Sequence, residues 1–133
     1  MPSLLLDTHI LVWWKTDPGR LTKAQAGALS DVEMGQAQAS ISAITLRELA
    51  KMAERHRLEI PLPLDMWLEE IEASPWLSVL PLTARIAAES VSLGEGVPND
   101  PADQIIIATA RCHGLQLVTS DERIRRWGKV PVI

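Results

Sequence analysis

The sequence predicts an α/β protein, a three-layer α/β/α arrangement around a central, mainly parallel sheet of four to five strands. Three observations carry this. Short apolar runs of strand length alternate with longer segments of helical periodicity. The first run, Leu4-Leu5-Leu6, is apolar throughout, as a strand covered on both faces is. The length, 133 residues, suits one domain over 1–133 with one core.

Leu4-Leu5-Leu6, ended by Asp7, reads as a buried strand whose last residue emerges at the carboxyl edge of the sheet. Residues 8–15 follow as a helix that is apolar almost all round and is stopped by Asp17-Pro18-Gly19. Thr22-Lys23-Ala24-Gln25 has the form of a capping box and starts a second helix, ending near Val32. Ala39-Ser40-Ile41-Ser42 is a second strand, joined directly to a helix over 43–56 whose core stripe is Leu46, Leu49, Ala50 and Ala53. Pro61 and Pro63 bracket a connection; Asp65 then caps a helix with Trp67, Leu68 and Ile71, which stops near Ser74-Pro75.

Residues 77–80 form a third strand, and Thr83 caps a helix running through Ala87, Ala88 and Val91 to the breaker Gly94-Glu95-Gly96. Pro101 at a first helical position opens the most apolar helix, which Gly114 closes. Residues 115–118 are a fourth strand ending in Thr119-Ser120-Asp121. A short helix to Gly128 and a last strand at Val130-Pro131-Val132 complete the chain.

The chain is 47% hydrophobic and 23% charged, which excludes a disordered or low-complexity polypeptide. One cysteine, Cys112, excludes an internal disulfide framework and a Cys-rich zinc module; it reads as a small buried hydrophobe in a reducing, cytoplasmic setting. No basic leader precedes the first apolar run, and no stretch approaches the roughly 20 apolar residues of a membrane helix. The net charge of −4 argues at first against nucleic acid. Where the acids sit decides whether that objection holds.

Four acids stand where such a fold brings them together. Asp7 and Asp121 follow strands; Glu48 lies one to two turns into the helix after the second strand, and Asp103 in the first turn of the helix opened by Pro101. In a parallel sheet the ends of strands and the starts of the following helices share one rim. Singly, each acid has an ordinary explanation as a turn former, a first-turn helix acid or a solvated residue. Together they repel one another unless a hard cation lies between them, and an all-oxygen set suits Mg²⁺ or Mn²⁺ better than zinc. Phosphodiester cleavage by a metal-activated water is the natural chemistry. Without these four acids the net charge of −4 becomes zero, so the charge objection weakens.

Leu4-Leu5-Leu6-Asp7-Thr8-His9, Ser42-Ala43-Ile44-Thr45-Leu46-Arg47-Glu48, Asp100-Pro101-Ala102-Asp103 and Leu117-Val118-Thr119-Ser120-Asp121-Glu122-Arg123 resemble, in order, the motifs of PIN-domain proteins, above all VapC-type toxins of bacterial toxin–antitoxin systems. The resemblance runs nearly end to end. It implies one nuclease domain over 1–133, an Mg²⁺- or Mn²⁺-dependent endoribonuclease with Asp7, Glu48, Asp103 and Asp121 as its acidic quartet, an RNA substrate, a cognate antitoxin and a homodimer. Asp7, Asp103 and Asp121 hold the metal in this reading, and Glu48 orients or deprotonates the attacking water. Asp100 is left as a loop or cap residue. One departure is Gln104, where relatives commonly carry Arg, which removes a fixed cation; Trp127 stands where relatives often have Tyr.

Weaker features complete the reading. Thr8, Thr119 and Ser120 are placed to support the acids by hydroxyl hydrogen bonds, or to satisfy backbone groups at turns. Arg47, Lys51 and Arg55 form a stripe that RNA phosphates can track, or a solvated helix face. Arg123, Arg125, Arg126 and Lys129 carry the same two readings. His9 is expected to pack or to hydrogen-bond around the site. Trp13 and Trp14, about 100° apart on their helix, either place one ring in the core and the other toward a partner or both fill the core. Two other functions compete: a catalytically silent module that keeps the fold, and a phosphohydrolase with Asp7 as covalent nucleophile. The second expects an acid at position 9, where His stands.

Overall fold

In the computed structural model, which describes residues 1–133, strands β1 (Ser3–Leu6), β2 (Gln38–Ser42), β3 (Leu77–Leu80) and β4 (Gln116–Val118) form one parallel sheet in the order β3-β2-β1-β4. Leu5 of β1 is in register with Ser40 of β2 on one side and Leu117 of β4 on the other. Helices α1 (Thr8–Thr16), α2 (Lys23–Glu33), α3 (Ala43–Glu54), α4 (Leu64–Glu72), α5 (Ala84–Ser90), α6 (Pro101–His113) and α7 (Glu122–Trp127) cover both faces. A single 3-10 turn, Pro18–Arg20, lies between α1 and α2.

The period-2 alternation of a strand divides the leucine run of β1 between two layers. Leu4 and Leu6 pack with Ile10 and Leu11 of α1, Leu29 and Val32 of α2 and Leu49 of α3, whereas Leu5 packs with Ile106, Ile107 and Ala110 of α6 and Ile124 of α7. All three leucines are buried, and truncating any one to Ala costs about 2–5 kcal/mol. The predicted capping box at Thr22 is present with both of its bonds, Thr83 caps α5, and Gly114 ends α6 at φ 64°, a left-handed conformation that a side chain would strain. No helix is long and apolar enough to cross a membrane.

Several elements depart from the sequence reading. The last strand is reduced to one parallel bridge between Leu117 and Val132, because Pro131 has no N–H to add to a ladder; it offers only its carbonyl, to Leu117 N at 2.8 Å. Asp65 does not cap α4. Pro63 occupies the cap position, and Asp65 sits inside the first turn and accepts from Met66 N at 2.9 Å. Of the expected α3 stripe only Leu49 is fully buried; the inward place in the first turn belongs to Thr45, whose hydroxyl has a partner on α1. The helix stops at Glu54 rather than His56, which adopts a positive φ of 54°. Cys112 is half-exposed rather than buried.

Candidate active site

Of the helices that begin at the carboxyl rim of the sheet, three are capped by acids. Asp7 caps α1, Asp100 caps α6 and Asp121 caps α7, each accepting backbone N–H bonds, while Ser42 caps α3. The positive ends of these helices favour negative charge there. Asp7, Glu48, Asp103 and Asp121 all line one cleft of about 320 Å³, with His9, Trp13, Asp100, Ser120 and Arg123 completing its wall.

Asp7 is held from both sides. Its Oδ1 accepts from Thr8 N at 2.8 Å and its Oδ2 from the Thr119 hydroxyl at 2.7 Å, so the end of β4 fixes the carboxylate at the end of β1. Burial nevertheless pushes its pKa up, against the pull of those two bonds. Glu48 accepts the Thr8 hydroxyl at 2.5 Å. A threonine has one hydroxyl proton, and Thr8 gives its own to Glu48, so the 3.0 Å contact between Thr8 and Thr45 makes Thr45 the donor. A relay from Thr45 through Thr8 thus aims Glu48 into the cleft. Burial raises its pKa, opposed by the Thr8 bond and assisted by Asp7 and Asp100.

Asp103 is the most perturbed acid. Burial, then the charges of Asp7, Asp100, Asp121 and Glu48, push it up to about 7. A 3.3 Å ion pair with Arg123 does not offset this. The guanidinium is largely exposed and engages Asp121 more closely, at 2.7 and 3.1 Å, and it is Asp121 whose carboxyl falls below the usual range, chiefly through that bond. Arg123 in turn is held charged by Asp121.

The supporting residues divide. Thr8 and Thr119 touch acids, and Thr119 also accepts from Asp121 N at 3.1 Å, so its hydroxyl serves turn and carboxylate together. Ser120 lines the cleft, but its hydroxyl pairs with Gln25 instead of an acid. Gln25, fully buried, clamps the rim by donating to the Thr119 carbonyl at 3.1 Å while closing the capping box of α2. Gln104 turns away to donate to the Pro98 carbonyl at 2.9 Å. Arg123 supplies a cation from another element. The cluster after Asp121 therefore does not act as one basic patch: Arg123 engages the acids and Arg125 the Thr119 carbonyl. Arg47, Lys51 and Arg55 line a groove with Arg57, and that groove shares His9, Glu48 and Asp100 with the acidic cleft.

Neither tryptophan of α1 follows the simple core-and-partner division. Trp13 is half-buried on the cleft wall with the Arg20 guanidinium 4.5 Å from its ring centre, and Trp14 donates to Glu33 at 2.8 Å under the Lys15 ammonium. His9 is exposed, not packed, on the rim of the cleft.

The sequence reading gave Arg123 only as one of a basic cluster that tracks RNA phosphates or is solvated, and gave no role to Thr45, Gln25, Arg57 or Asp100 in the cleft. Arg123 had a signal: an arginine two residues after a helix-capping aspartate lies within reach of it. Gln25 also had one, as the fourth residue of a capping box.

As placed, no three His, Cys, Asp or Glu side chains are gathered tightly enough to hold a metal ion jointly. The chemistry of the donor set still fits a hard divalent cation. Carboxylates from four chain segments face one cleft, no thiol or second imidazole competes, and the acids raise one another's pKa values as groups short of positive charge do.

The PIN domain family model matches residues 4–130, and the chain belongs to that family. It is 36% identical over 125 residues to ribonuclease VapC22 of Mycobacterium tuberculosis, covering 94% of this chain and 92% of that protein. Among solved structures it is similar to VapBC2 from Rickettsia felis bound to a promoter DNA fragment, with a TM-score of 0.71 at 17% identity, covering 98% and 97% of the two chains. A toxin–antitoxin complex from Klebsiella pneumoniae gives a TM-score of 0.63 at 24% identity over 98% and 95%. Ribonucleases of this family are generally dependent on divalent metal.

Proposed function

We propose that the protein is an Mg²⁺- or Mn²⁺-dependent endoribonuclease, the toxin of a toxin–antitoxin pair, acting through one nuclease domain over 1–133. The observation that carries the reading is the single cleft lined by Asp7, Glu48, Asp103 and Asp121, in a chain 36% identical to a ribonuclease. Asp7, Asp103 and Asp121 are the residues that would hold the cation. When bound, it supplies charge neutralisation at the scissile phosphate and activation of a water. Thr8 N and the Thr119 hydroxyl fix the direction of Asp7's two oxygens. Glu48, its pKa raised and its carboxylate aimed by Thr8, orients the attacking water and receives its proton. Asp121 is kept ionised by Arg123. Arg47, Lys51, Arg55 and Arg57 bind the RNA backbone in the groove that opens beside Glu48.

A cognate antitoxin is the proposed protein partner, on the ground that similar folds occur in toxin–antitoxin complexes. A groove lined by Lys15, Pro61, Trp67, Glu70, Ile71 and Leu77 offers it apolar surface between charges of both signs.

The test is cleavage of a panel of structured RNAs by antitoxin-free protein with Mg²⁺, with Mn²⁺ and with EDTA, beside an Asp103→Asn control. Metal-dependent cuts that vanish in the control are expected. Cuts that persist in EDTA or in the control would refute the assignment.

A further inference from the structure

We propose that His9 and Trp13 form a nucleobase-stacking subsite on the rim of the acidic cleft, which holds the base of the nucleotide beside the cleaved bond. The proposal rests on the endoribonuclease reading and adds to it the two side chains that bind that base.

Trp13 is the one hydrophobic residue in the wall of an otherwise polar, largely acidic cleft. His9 precedes it by one helical turn of α1 and so lies on the same face. The two rings are 6.1 Å apart at 57°, and both line the cleft. His9 is exposed within a helix whose Ile10 and Leu11 are buried, so packing does not account for its place. The Arg20 guanidinium lies 4.5 Å from the centre of the Trp13 ring without itself lining the cleft, bracing the indole and adding positive charge behind it.

This surface offers a nucleobase an apolar, π-rich contact where the remaining wall offers carboxylates. A phosphodiester drawn to the acids by a cation carries its base along, and the only face suited to a neutral aromatic ring is that of His9 and Trp13. Stacking of this kind requires an unstacked base, which single strands and loops supply and a continuous duplex does not. Loss of one base–aromatic stack weakens binding roughly 5- to 100-fold.

The test uses the full chain carrying Glu48→Gln, which spares the three acids assigned to the cation, with Mn²⁺, and a short mixed-sequence single-stranded RNA labelled for anisotropy. Companion RNAs each have one nucleotide made abasic, and a duplex of the same sequence is included. Binding is expected to fall roughly 5- to 100-fold at one or two abasic positions and for the duplex. Those abasic penalties are expected to disappear when His9→Ala and Trp13→Leu are added, and Trp13→Phe should restore them. Trp13 also packs against the core, so His9→Ala, at an exposed position, is run alone as the variant that leaves the fold undisturbed. Abasic penalties unchanged by His9→Ala and Trp13→Leu, or none at any position, would overturn the subsite. The same RNA is offered to the wild-type protein for cleavage. Cutting without base sensitivity sinks the subsite alone, and neither binding nor cutting sinks the nuclease reading with it.

Discussion

The two walls of the cleft treat the same functional group in opposite ways. On one, Asp7, Glu48 and Asp103 are buried or half-buried and their pKa values are raised; hydroxyls or a backbone N–H hold Asp7 and Glu48, and Asp103 has only the 3.3 Å contact with Arg123. On the other, Asp121 caps α7, is gripped by Arg123 and stays below the usual carboxylate range. One wall therefore stores negative charge that only protons or a cation relieve, and the other is already balanced. Desolvation sets the first and a short ion pair the second, so on the proposed reading cation affinity and its pH dependence would rest chiefly on Asp7 and Asp103.

Breaking the uncompensated wall has the largest expected effect. Asp103→Asn should reduce cleavage by more than the roughly 10- to 100-fold that changes around a metal site's ligands cost, read as single-turnover rates. The same variant tests the charge account in EDTA. Because the folded pKa of about 7 lies above the ordinary 3.8, the folded protein keeps a proton that the unfolded chain has lost. The contribution of Asp103 to stability is therefore full below about pH 4 and is lost as the pH rises toward about 7. Thermal unfolding across that range should show the fall in the wild type and a flatter profile in Asp103→Asn; parallel profiles would contradict the assignment.

Next in size is the aim of Glu48. Thr8→Val removes the hydroxyl that Glu48 accepts and should lower kcat about 10- to 100-fold with little change in KM. An unchanged kcat would remove Thr8 from the mechanism. Replacing Lys51 and Arg55 with Ala separates RNA holding from cation holding. RNA binding should weaken and the slope of its salt dependence should drop by about 1 to 2, whereas Mn²⁺ affinity stays. An unchanged slope would return those side chains to solvent. The smallest effect is expected on the balanced wall: Arg123→Gln should move the Asp121 carboxyl up toward its ordinary value in an NMR titration and strengthen Mn²⁺ binding a few-fold. An Asp121 titration that does not move would show that Arg123 is not its counterion.

Much of this was legible in the sequence because a parallel sheet puts strand ends and helix starts on one rim. That rule alone places Asp7, Glu48, Asp103 and Asp121 around the cleft, and the triple leucine run announces a strand covered on both faces. Side-chain direction was not legible. Arg123 looked like one base among four, and only the turn into α7 shows it folding back onto Asp121. Gln25 and Thr45, both fully buried, find their partners across long sequence separations, which no local pattern records. The last strand failed for a local reason that was visible: a proline in its middle.

The central proposal, that Asp7 and Asp103 of the uncompensated wall hold the cation together with Asp121, is tested most directly by calorimetric titration of Mn²⁺ into wild-type, Asp103→Asn and Arg123→Gln proteins, with proton release measured across the pH range around Asp103's pKa of about 7. Binding that releases a proton, tightens as the pH rises, is lost in Asp103→Asn and survives in Arg123→Gln is expected. Binding of equal strength in Asp103→Asn, with neither proton release nor pH dependence, would contradict it.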